Sequence, residues 1–139
     1  MGFTHYWTIN GELDREKFKS YSEKVKQIVE STNVVLSGKD PWKMEPLVTE
    51  KSIVLNGFAY NSCDPFTVKP NHAGMFSCKT RKKHYDKVVV ACLFLLQEMF
   101  PDQVILGTDG NRNDLQAGFQ LAITVSNPKT DVFNYTLMI

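Results

Sequence analysis

The run Val88 to Leu96, nine residues without a polar side chain apart from the thiol of Cys92, constrains this chain more than any other segment. From about His84 to Phe100, Tyr85, Val88, Val89, Cys92, Leu93, Leu96 and Phe100 recur at helical spacing, and Pro101 follows the end. A helix that is apolar almost all round must be covered on every side. The run is too short to span a membrane. The cover therefore has to be protein.

The rest of the chain supplies it. Across residues 13–30, Phe18, Tyr21, Val25, Ile28 and Val29 predict an amphipathic helix, with Asp14 and Glu16 in its first turn, where the dipole favours acids. Residues 3–9 alternate, with Phe3, His5, Trp7 and Ile9 on one face, and predict a strand ended by Asn10-Gly11. Further strands are expected at Val34–Leu36, across 48–58 up to Asn56-Gly57, at Phe66–Val68, Phe76–Cys78 and Val104–Leu106, and across Val132–Ile139. Gly38, Pro41 and Pro46 mark residues 37–46 as loop. Residues 113–124 fit a short helix, although Ile123, Thr124 and Val125 favour strand. The expected fold is α+β: one domain over 1–139, with a small, mainly antiparallel sheet packed with two main helices. A length of 139 residues suits one domain that needs neither disulfide nor metal to fold.

Charge and cysteine usage narrow the function classes. The net charge of +1 disfavours broad nucleic-acid binding, so any basic site must be local. Cys63, Cys78 and Cys92 are odd in number and lack metal-ligand spacing, which predicts free thiols in a reducing compartment. The opening MGFTHYWTIN lacks the basic start and apolar centre of a signal peptide, and Tyr6 stands where a myristoylation signal has Ser or Thr. The expectation is a soluble cytoplasmic protein with no membrane segment, metal or cofactor.

One local feature has unusual chemistry. Lys79, Arg81, Lys82 and Lys83 crowd the entrance of the apolar helix. A helix N-terminus already carries partial positive charge, so cations there oppose folding unless an anion is bound. The competing reading is a solvated basic turn. Thr80 would add a hydroxyl donor, the helix start would add backbone donors, and Tyr85 or Trp7 could pack on the ligand. Tyr6 and Trp7 lie on opposite strand faces, so only one of them can contribute. His5, between aromatics, is more simply a hydrogen-bonded core residue. Asp109 ends a strand, where ligand-binding acids often sit, but Asp-Gly is also an ordinary turn. Asp86 is most simply a dipole partner.

The segment Phe76-Ser77-Cys78-Lys79-Thr80-Arg81-Lys82-Lys83-His84-Tyr85-Asp86 resembles the signature of a family of small proteins of bacteria, phages and large DNA viruses. That signature runs approximately F-C-K-T-x-R-K-P-Y-D, ahead of a long apolar helix and a strand ending S-S-D-G. The opening Met1-Gly2-Phe3-Thr4-His5-Tyr6-Trp7 is similar to the family's M-G-Y-T-H-Y-W, and Asn56-Gly57 and Thr108-Asp109-Gly110 match its later N-G and D-G. The family's Arg is Lys82 here and its Pro is His84, which removes a bidentate donor and a helix-starting proline. The resemblance covers residues 1–110 and implies no activity.

The leading expectation is a non-catalytic binding module for a phosphate-bearing, nucleotide-like small molecule. Its site residues would be Lys79, Thr80, Arg81, Lys82, Lys83, Tyr85, Trp7 and Asp109. The family's distribution suggests sequestration of a host signal, in the host cytoplasm or virion. The alternatives are a structural or interaction protein, such as a virion or assembly component with an acidic partner protein or a second copy of itself, and last an enzyme, with Cys78 as nucleophile beside His5 or His84 or with Asp109 as an acid–base group.

Overall fold

The structure, a computed structural model, describes residues 3–125 and 136–137. Its elements run β1 (Thr4–Ile9), α1 (Arg15–Ser31), β2 (Leu36–Ser37), β3 (Leu47–Val48), β4 (Ile53–Gly57), β5 (Phe66–Val68), β6 (Gly74–Lys79), α2 (Asp86–Met99), β7 (Val104–Thr108), α3 (Arg112–Val125) and β8 (Thr136–Leu137). The fold is α+β, with three helices and two mainly antiparallel sheets. One sheet has the order β6-β1-β7-β8, and the other β2-β4-β3 with β5 also on β4. The last pair of the first sheet, β7 with β8, is parallel.

Helix α2 is the centre. Val88 to Leu96 have no accessible surface, and α2 packs on α1, α3 and β7. Each buried aliphatic or aromatic side chain contributes about 1.5–3 kcal/mol relative to exposure, so this one run dominates the drive to fold. Tyr21 of α1 donates its hydroxyl to the Cys92 carbonyl at 2.7 Å. Trp7 of β1 packs between Phe66 of the second sheet and Phe76 of the first, with ring centroids 5.2 and 6.0 Å away. Asp14 caps α1 and accepts from the Lys17 amide at 2.9 Å, one step outside the first turn expected for it.

One expectation needs correction. The strand expected across 48–58 is a hairpin, because Thr49 folds the chain back. Its hydroxyl accepts from the Lys51 and Ser52 amides at 3.2 and 3.0 Å, and Val48 pairs with Ile53. Thr-Glu-Lys-Ser lacks the glycine, proline or asparagine that marks most turns. The ambiguous stretch 113–124 lies within α3, which gives a third helix beside the two expected. Leu115, Gly118 and Ala122 face inward at helical spacing, and packing on α2 outweighs the β-branched residues near the end. Of the strand expected at 132–139, Thr136–Leu137 pairs with β7, and the remainder lies outside the described residues.

Gly118 sets how closely α3 approaches α2. A Cβ there would run into Val90 of α2 and come within 3.0 Å of the Lys87 carbonyl. In an exposed helix Gly→Ala gains about 1 kcal/mol. Here Gly118→Ala is expected to lose stability instead, because overpacking costs about 1–3 kcal/mol. Urea unfolding measures it, and a variant as stable as the parent would show that the helices part without cost.

Candidate functional site

The site begins with a row of side chains across the first sheet. His5 of β1 is in register with Cys78 of β6 on one side and Thr108 of β7 on the other. Asp86, the first residue of α2, reaches this row. Its carboxylate oxygen lies 2.7 Å from His5 Nε2 and also accepts the Thr80 hydroxyl. Thr108 Oγ1 lies 3.0 Å from His5 Nδ1 and accepts the Gly110 amide at 3.1 Å. With the carboxylate as acceptor, Nε2 donates to it, and Nδ1 shares a hydrogen bond with the Thr108 hydroxyl. His5, Thr80 and Thr108 are fully buried and Asp86 nearly so. A network this deep holds its shape because each member has a partner.

Residues 80–86 connect this network to the surface. The Phe3 carbonyl accepts from the Thr80 and Arg81 amides at 2.9 and 3.3 Å. Arg81 and Lys82 then sit consecutively in the left-handed region, at φ 54° and 58°. Such backbone costs about 1–3 kcal/mol per residue and persists where its surroundings impose it. Here the anchors are Thr80 on Asp86 and the two amides on Phe3. The Lys83 amide returns to the Thr80 carbonyl at 3.0 Å, and the Asp86 amide to the Lys83 carbonyl at 2.8 Å.

Beside this turn lies a cleft of about 670 Å³. Lys82, Lys83 and Lys87 bring cations to its lining, together with Phe3 and His84. Val34, Val35, Phe58 and Asn61 bring an apolar and amide lining from the segments before β2 and after β4, and Asp114 and Ala117 of α3 complete it. Lys82 Nζ pairs with Asp114 at 3.3 Å and lies 5.0 Å from the Phe3 ring centroid. Lys83 Nζ donates to the Tyr60 carbonyl at 2.6 Å. Neither Lys83 nor Lys87 is paired with a carboxylate among the described residues. The third left-handed non-glycine residue among the described residues, Ala59 at φ 56°, stands between the lining residues Phe58 and Asn61. Of the three strained positions, Lys82 lines the cleft, and Arg81 and Ala59 each adjoin a lining residue in the chain.

The expected site residues divide. Lys82 and Lys83 line the cleft, whereas Arg81 is exposed outside its lining. Lys79 closes the end of β6, its amide on the Asp64 carboxylate at 3.0 Å and its carbonyl accepting the Asp64 amide at 3.0 Å. The Thr80 hydroxyl is committed to Asp86, so it is no phosphate donor. Tyr85 borders the cleft, but its side chain is buried with its hydroxyl on the Asp64 carbonyl at 2.6 Å. Trp7 is sealed in the core and cannot stack on a ligand. Asp109 clamps the strand end, accepting the Thr4 amide at 2.6 Å and donating its own amide to the Thr4 carbonyl at 3.1 Å. The helix start offers few backbone donors, since the Asp86, Val88 and Val89 amides already have acceptors. Phe3, His84, Lys87 and the second lining were not among the expected ligand-binding residues. Lys87 alone had a local signal, as a further cation in the first turn of α2.

Four separated segments of the chain reach this place. His5 and Phe3 come from the opening, Gly57 from Asn56-Gly57, Thr80 and Asp86 from the basic segment, and Thr108 and Gly110 from the late turn. Two glycines are needed by their surroundings. A Cβ on Gly57 would enter the Asn61 carbonyl, and one on Gly110 would press on the Phe3 ring at 2.5 Å.

The Cys78 thiol is the nucleophile of the enzyme expectation. Neighbouring lysines would have lowered its pKa, but burial pushes it far up and Asp64 adds to the shift. It donates to the Asp64 carbonyl at 3.4 Å.

Asp86→Ala removes the acceptor of two buried donors and is expected to cost about 3 kcal/mol in urea unfolding. A loss under about 1 kcal/mol would mean that water or a rearranged turn replaces the carboxylate.

Cys78 and Cys92 are pushed up by burial, and Tyr85 by burial and then Cys78. All three bind their protons more tightly folded than unfolded. Their share of stability is therefore intact below the ordinary thiol value of 9.0 and declines as pH rises past it. Thermal unfolding should show a midpoint that falls steeply between about pH 9 and pH 11, less so in Cys78→Ala. A flat profile would mean these groups ionise freely in the fold.

In comparison with known proteins, no family model, no curated protein and no solved structure matches this chain.

Proposed function

We propose that this protein binds an anionic, phosphate-bearing small molecule in the cleft at the start of α2, without converting it. The observation that supports this most is that Lys82, Lys83 and Lys87 line a single cleft together with His84, with Lys82 itself held in the left-handed region. Strain of this kind concentrates where a site must keep a geometry that folding alone would not choose. Cations on a concave surface beside a helix N-terminus suit phosphate oxygens, and charge-assisted hydrogen bonds are the strong ones. A cleft of about 670 Å³ is within the range of small-molecule sites.

Two carboxylates also border the cleft, and both are already occupied. Asp86 is held by His5 and Thr80, and Asp114 by Lys82 and by the Asn111 amide at 2.9 Å. They set the positions of the turn and of Lys82 rather than repel the ligand outright. Binding rather than turnover is favoured because the nearby nucleophiles, the hydroxyls of Thr80 and Thr108 and the thiol of Cys78, are buried and engaged.

Calorimetric titration with ribose 5-phosphate and inorganic pyrophosphate at low and physiological salt tests the site. Binding of at least one probe is expected, weaker at higher salt, and reduced about tenfold in Lys83→Ala, the loss of one charge-assisted hydrogen bond. Absence of heat from both probes, with the protein folded, rejects the proposal.

A further inference from the structure

Resting on that anion-binding reading, we infer that the ligand also carries a planar ring, and that Trp42 and Tyr60 receive it, which makes the ligand a nucleotide rather than a simple phosphate ester. Trp42 is 60% exposed and Tyr60 85% exposed. Their rings meet edge to face, with centroids 5.3 Å apart and planes at 88°. Isolated exposed aromatics are ordinary on protein surfaces. Two that are paired, held by ordered backbone and tied to a cationic cleft are not.

Tyr60 belongs to the cleft by its neighbours. Phe58 and Asn61, two residues before it and one after, line the cleft, and its own carbonyl receives Lys83 Nζ at 2.6 Å. Its backbone is therefore fixed to the cation that would hold the phosphate. Trp42 is brought alongside by the loop between β2 and β3. The Ala59 amide donates to the Pro41 carbonyl at 2.7 Å, and the Trp42 amide donates to the Asp40 carboxylate at 2.9 Å. The loop closes tightly on itself, since a Cβ on Gly38 would meet the Glu45 carbonyl at 2.5 Å. A loop so constrained nevertheless presents its indole to solvent.

The chemistry follows from the pairing. An edge-to-face pair already fixed in place gives a base a face to stack on at little further ordering cost. Stacking of this kind accepts any base, because every base has a π face. Lys83 is fastened to the Tyr60 carbonyl, so the aromatic pair stands beside a cation of the cleft, and a ligand with phosphate at one end and a ring at the other can reach both. Trp7 and Tyr85, the aromatics expected to pack on the ligand, are buried and cannot serve.

The test compares adenosine 5′-monophosphate with ribose 5-phosphate by calorimetry, on the parent and on Trp42→Ala, with circular dichroism to verify folding. The expected result is about tenfold tighter binding of the nucleotide by the parent, and a preference reduced to within about twofold in Trp42→Ala, the scale of one stacked base. Tryptophan fluorescence should be quenched by the nucleotide and not by the sugar phosphate, since Trp42 is the exposed one of the two tryptophans. Equal binding of the two compounds by the parent overturns the ring inference and leaves the anion site standing. A nucleotide preference that survives in Trp42→Ala also overturns it, because the ring then rests elsewhere. Binding of neither compound overturns both.

Discussion

The contact between His5 and Asp86 joins the two parts of the fold that must agree for the rest to form. His5 stands in the middle strand of the first sheet, and Asp86 is where the most buried helix begins. Their 2.7 Å contact fixes how the end of α2 meets the sheet. Thr80 and Thr108 complete it from the two neighbouring strand ends, so strands β6, β1 and β7 all converge on one helix terminus. Buried ionisable groups add little net stability over apolar ones of the same shape. What this arrangement secures is position. It holds residues 81 and 82 in a backbone conformation that neither would adopt freely.

That conformation explains how a crowd of cations can stand at a helix start that should reject them. The positive end of the helix is answered from below by the Asp86 carboxylate and by backbone acceptors at Lys83 and Tyr85. The side chains are then distributed rather than bunched. Lys79 closes a strand, Arg81 turns to solvent, Lys82 leans on Asp114 and the Phe3 ring, and Lys83 reaches Tyr60. Much of the electrostatic conflict apparent in the linear chain is relieved by the fold, and the cations facing the cleft are the remainder.

The legibility of this protein in its sequence follows the range of the interactions involved. Helices α1 and α2 were readable because their apolar periodicity is local, and β1 and β5 because β-branched and aromatic residues cluster there. The hairpin at Thr49 was not, since its turn depends on one hydroxyl rather than on glycine or proline. The basic segment brings Lys82 and Lys83 to the cleft, whereas Lys79 and Arg81 stand outside its lining. Thr80, Tyr85 and Trp7 are polar or aromatic types that suit a ligand, yet each is consumed by the interior. Their depth depends on strand pairing more than 60 residues distant, as between Trp7 and Phe76, which no local pattern encodes. The apolar lining of the cleft, from Val34 and Phe58, was hidden for the same reason.

The two linings of the cleft differ in how firmly they are built. The lysines stand at the start of α2, whose centre is wholly enclosed, while the apolar lining grows from a small sheet in which β2 and β3 are two residues each. Segments with few buried neighbours open locally at lower free energy than the enclosed core. A molecule that grips both linings must therefore act as a rivet, lending the weaker one some of the persistence of the stronger. Amide exchange would slow on Phe58 and its neighbours far more than in α2, so occupancy would register as a change in local endurance without any change of shape.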